Sequence, residues 1–63
     1  MTEELVEYLV RHGWAEDIAL DIHYAHYKGE LDGVREYAKE LDSDMKAEII
    51  KNVMAWRKEI GYE

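Results

Sequence analysis

Leu5 with Leu9, and Val6 with Val10, form two adjacent apolar rows at four-residue spacing, the signature of one helix face. A first helix is predicted from about Thr2 to His12. Thr2 suits its N-cap, Glu3 and Glu4 suit the positive end of the helix dipole, and Arg11 and His12 suit the negative end. Gly13 stands where a left-handed residue ends a helix. A second helix is predicted from Trp14 or Ala15 to Lys28. Its main apolar stripe is Ala15, Ile18, Ile22 and Ala25, with Ala19 beside it. A second row holds Leu20, Tyr24 and Tyr27, while Asp17, Asp21 and Lys28 share the remaining face. A helix apolar on two sides suits a central position with neighbours on both.

Gly29 reads as the stop of that helix. A third helix is predicted over Leu31 to Leu41, where Leu31, Val34, Ala38 and Leu41 make one seam. Asp32 suits a cap there, and Gly33 is either a weak first-turn residue or a point of close helix packing. A fourth helix, about 43–60, follows "LDSD", with Asp42 or Ser43 as N-cap. Met45, Ile49, Val53, Trp56 and Ile60 form its long stripe, which Ile50 and Met54 widen toward Arg57. Gly61 reads as another left-handed stop. No segment alternates with period two. The pattern therefore predicts one all-α domain over residues 1–63, a small three- to four-helix bundle.

Composition narrows the chemistry. At 48% hydrophobic residues, the 63-residue chain is too apolar for a disordered tail. A domain of this size buries only roughly 60% of its unfolded surface, leaving no room for a deep cleft. The absence of Cys removes disulfides, thiolate metal sites and thiol nucleophiles, and fits a cytoplasmic, reducing setting. The start, MTEELVEYL, lacks the basic and apolar regions of a signal peptide. No run approaches the roughly 20 apolar residues of a membrane span, so no membrane partner is expected.

Charge is uneven along the chain. Residues 1–44 hold twelve acids and four bases, and residues 45–63 hold three acids and four bases. An acidic body repels phosphate backbones, so direct nucleic-acid binding is not expected. It would instead speed encounter with a basic protein surface.

The stretch "DIHYAHYKGELD" holds the only metal-like pattern. His23 and His26 are three apart on a helix face, and Glu30 follows four later. Three such groups would leave one Zn²⁺ position open, but the zinc-protease helix places its histidines four apart with a Glu after the first. His26 bordering the apolar stripe and His23 half exposed is the simpler reading, so no metal or other cofactor is expected. Ser43 and Thr2, the only hydroxyl nucleophiles besides tyrosine, both read as caps. The phosphate-binding and dinucleotide-binding glycine loops are absent. No enzymatic activity is expected.

The residues "YLVRHGWAEDIALDIHYAHYKGELDGVREYAKEL" resemble a ubiquitin-associated (UBA-like) domain over about 5–41. His12-Gly13-Trp14 stands at that family's Met-Gly-aromatic turn, Lys28-Gly29 at its second turn, and Gly33-Val34 at its Ala-Val pair. The sequence departs from the family at His12 for Met, at His23 for a buried Leu, and at Tyr37-Ala38 for the usual Leu-Leu; the fourth helix is an addition. The resemblance implies a three-helix core. If the family's surface is shared, it implies contacts through Gly13, Trp14, Tyr37 and Leu41. Function does not follow from fold alone.

The residues thus point to a small acidic module, an adaptor or inhibitor, that binds another protein bearing a basic or apolar-groove surface. Trp14, Tyr24, Tyr27 and Tyr37 are the expected apolar contacts, with Asp17, Asp21 and Glu36 as rim charges. One alternative is an acidic mimic of nucleic acid that blocks a nucleic-acid enzyme, in the manner of phage anti-CRISPR proteins. Another is a structural homodimer through Ile50, Met54 and Arg57 on the last helix.

Overall fold

Two glycines end two of the helices in the same way. Helix α1 spans Leu5–Arg11, and Gly13 beyond it adopts φ 97°. The Gly13 N–H donates to the Val10 carbonyl and the Trp14 N–H to the Leu9 carbonyl, both at 3.0 Å. Helix α3 spans Ser43–Ile60, and Gly61 adopts φ 75°. The Gly61 N–H donates to the Lys58 carbonyl at 3.2 Å, and the Tyr62 N–H to the Arg57 carbonyl at 2.8 Å. This paired bonding satisfies carbonyls that a helix end otherwise leaves bare, and it requires a residue that tolerates positive φ. In each motif the aromatic after the glycine folds back. Trp14 packs against the core, and the Tyr62 ring lies 4.3 Å from the Arg57 guanidinium carbon.

The computed structural model describes residues 3–62. Thr2, the predicted first cap, lies outside them. Helix α1 begins later than the pattern predicts, with Glu4 at the N-cap and no side-chain cap bond. At α3 the predicted cap is found: Asp42 Oδ1 accepts from the Met45 N–H at 2.9 Å. Ser43 is then the first helical residue.

The predicted second and third helices are the two arms of one kinked element. Helix α2 spans Glu16–Ala38, and its single non-helical residue is Glu30, at φ 54° and ψ −140°. Among the described residues there are three helical elements, the second bent into two arms at Glu30, and no strand. The positive φ falls on Glu30 and not on Gly29, whose backbone stays helical. Asp32 and Gly33 lie at the beginning of the arm that follows Glu30. Gly33 shows how sharply α2 bends. A Cβ there would collide with the Ala25 carbonyl oxygen and sit 3.2 Å from its carbon. Residues eight apart in an unbroken helix are separated by about 12 Å. The second arm of α2 is therefore folded back on the first, and glycine at 33 permits the approach.

The core lies where the three helices meet. Leu5, Tyr8 and Leu9 enter from α1, Ala19, Ile22 and Val34 from α2, and Ile49, Val53 and Trp56 from α3. Two local expectations shift. Tyr8 completes the buried face of α1, while Val10 is largely exposed. On α2 the buried stripe is Ala19, Ile22 and His26, and Ala15 is exposed at the N-cap. The radius of gyration is 10.6 Å, close to the roughly 11 Å expected for a compact chain of this length. The Trp56 indole N–H donates to the Glu3 carbonyl at 2.8 Å, fastening the chain's start to α3. Among the described residues, no helix is long and apolar enough to cross a membrane.

Candidate protein-binding surface

The side of α2 opposite its buried stripe carries Leu20, Tyr24 and Tyr27. Their spacing of four and three residues puts them on one face. They are 50%, 59% and 79% exposed, so no other helix covers the row. The two tyrosine rings stack with centroids 6.5 Å apart, and the Lys28 ammonium lies 4.9 Å from the Tyr24 ring centre. These contacts gather the two rings into one ridge. Asp17 and Asp21 are exposed on the same helix arm. Asp17 Oδ1 accepts from the Ile18 N–H at 2.9 Å, which fixes it in the first turn of α2.

The other sequence-nominated contacts lie differently. Gly13 is exposed in its left-handed turn, but Trp14, Tyr37 and Leu41 are partly buried and packed against the core. Burial, then the carboxylates of Asp21 and Asp17, push the Tyr37 hydroxyl above its usual pKa. Tyr37 is thus electrostatically near the ridge acids, with much of its ring committed inward. Glu36 is exposed and pairs with Lys39 at 3.7 Å.

His23, His26 and Glu30 do converge. They line one depression of about 200 Å³ with Tyr27, Trp56 and Tyr62. His26 is nevertheless buried and engaged: Arg57 Nη1 lies 3.0 Å from its Nε2. A guanidinium can only donate, so Nε2 accepts and the imidazole is neutral, with its proton on Nδ1. Burial, and after it the Arg57 charge, lower the His26 pKa. Trp56 and Tyr62 meet the imidazole edge-on at 5.3 and 5.2 Å. The Arg57 guanidinium thus occupies Nε2 of His26. Among the described residues, no group of three or more His, Asp or Glu is placed to hold a metal ion.

Ile50, Met54 and Arg57 line two depressions that join at Met54. Ile50 and Met54 line an open groove of about 570 Å³ with Ser43, Lys46, Ala47 and Lys51. Arg57 lines an adjoining depression of about 370 Å³ with Leu31, Met54, Lys58, Gly61 and Tyr62, and its guanidinium is tied to His26. The lysines of this groove were not among the residues singled out from the sequence. Their signal lay in the helical phase of α3, which puts its bases on one flank and Asp44, Glu48 and Glu59 on the other.

No protein-family model matches the chain, and neither a curated protein nor a solved structure matches it.

Proposed function

We propose that this chain is a small non-enzymatic protein-binding module whose working surface is the Leu20–Tyr24–Tyr27 ridge of α2. The observation that carries this reading is the exposure of three large side chains in one row, in a domain too small to waste apolar area. Tyrosine supplies burial together with a polar tip and loses little rotamer freedom, which is why it recurs as an interface anchor. Asp17 and Asp21 supply the rim, favouring a partner with a basic edge and speeding encounter with it. The ridge ranks above the turn that the UBA-like resemblance nominates, because Trp14, Tyr37 and Leu41 spend apolar area on the core. A ubiquitin-like partner remains within the reading, provided that it is met through the ridge.

The test is affinity capture from host lysate with the intact chain and with a Tyr24→Ser/Tyr27→Ser variant of unchanged circular dichroism. A partner retained by the first and lost by the second supports the ridge. A partner set indifferent to the double substitution overturns it.

The nucleic-acid-mimic reading draws on Glu16, Asp17 and Asp21, exposed acids with no cationic partner among the described residues. Salt separates the two. A mimic's binding falls steeply with ionic strength and is competed by DNA, whereas burial of two tyrosines persists.

A further inference from the structure

The groove along α3 differs in chemistry from the rest of the molecule. Of the eight Lys and Arg residues in a chain of net charge −7, four lie on α3. All four line the two adjoining depressions: Lys46 and Lys51 the first, Arg57 and Lys58 the second. None of the three acids of α3 lines either. The floor is apolar, formed by Ala47, Ile50 and Met54, and Met54 is 51% exposed where the depressions join. Among the described residues, Lys46, Lys51 and Lys58 pair with no carboxylate. An apolar floor with unpaired cations along its edges complements an amphipathic helix whose apolar stripe is flanked by carboxylates.

We propose that this flank of α3 is a second docking site, which takes an acidic amphipathic helix of another protein. The site does not rest on the α2 ridge, and its charge is opposite. A chain with both faces would join a partner with a basic edge to a partner with an acidic helix. Two copies packing α3 on α3 would bring Lys46, Lys51 and Lys58 of both into one interface, and like charges oppose that arrangement. A phosphate backbone would satisfy the lysines but leave Ile50 and Met54 without apolar contact, against an otherwise acidic body.

The experiment is amide NMR of the full chain titrated with two synthetic helical peptides of about 20 residues, a length of about 30 Å. Both carry Leu at i, i+4, i+7 and i+11; one is flanked by Glu and the other by Lys. The acidic peptide is expected to shift the amides of Lys46, Ala47, Ile50, Lys51 and Met54. Its affinity should fall several-fold between about 50 mM and about 300 mM salt, because screening weakens exposed charge pairs. Met54→Glu and Lys51→Glu, both at exposed positions, should each weaken binding about fivefold or more with the remaining spectrum intact. The proposal is overturned if the acidic peptide shifts no α3 amide, or if the Lys peptide binds as well. It is also overturned if the same amides move on raising protein concentration alone, which assigns the groove to a second copy. Stronger shifts with duplex DNA or phosphatidylserine vesicles than with the acidic peptide would likewise overturn it.

Discussion

Arg57 on α3 donates a hydrogen bond to Nε2 of His26 on α2 across 3.0 Å, so a neutral imidazole is built into the join between these helices. Burial first, and Arg57 next, lower the His26 pKa from its ordinary 6.5; Glu30 pulls the other way and His23 adds to the lowering. In the unfolded chain His26 protonates at its ordinary pKa, while the fold resists. The unfolded state then binds more protons, so stability falls as pH drops below about 6.5 and levels off above it. Urea unfolding between about pH 7.5 and about pH 5.5 should show this loss. A His26→Gln variant, which retains an acceptor but cannot titrate, should lose much less over the same window. Equal slopes for the two proteins would remove His26 as the cause.

Glycines 33 and 29 should respond oppositely to alanine. At Gly33 the added methyl meets the Ala25 carbonyl, and the obstacle is backbone that cannot swing aside. Gly33→Ala is expected to cost about 1–3 kcal/mol, as overpacking does. At Gly29 nothing lies within 4 Å of the new methyl and the backbone is helical. Gly29→Ala should stabilise by about 0.5–1 kcal/mol. Midpoints of chemical unfolding read both.

Glu30 holds φ 54° and ψ −140°, a region that only glycine enters without cost. Such strain is worth about 1–3 kcal/mol for other residues. Glu30→Gly should therefore raise stability by about 1 kcal/mol, after the added chain entropy of glycine is subtracted. A thermal midpoint that drops instead would mean that the Glu30 side chain contributes more than its backbone costs.

Trp56 both fills the core and bonds the Glu3 carbonyl. Trp56→Phe keeps most of the ring and loses the donor, at a cost of about 1–2 kcal/mol. Trp56→Ala should cost about 3–5 kcal/mol. A domain of this size rarely holds more than about 3–5 kcal/mol in total, so that variant should be largely unfolded by circular dichroism.

Features set by near neighbours were legible in the sequence. The helical class, the Asp42 cap, the left-handed Gly13 and Gly61, and the seam on α3 follow from contacts within a few positions. These contacts act before any helix meets another. Tertiary structure decided which side of α2 is covered. Leu20, Tyr24 and Tyr27 and the stripe around Ile22 are both apolar rows, and periodicity cannot rank them. Packing put α1 and α3 on the Ile22 and His26 side, and left the tyrosines uncovered. The bend at Glu30 is also tertiary. Gly29 is the better local candidate for a positive φ, yet the turn falls at Glu30, and the folded-back arm brings Gly33 against the Ala25 carbonyl. His26 reads in sequence as a residue at the stripe's edge. Only the arrival of Arg57, thirty-one residues later in the chain, provides the donor that lets it be buried.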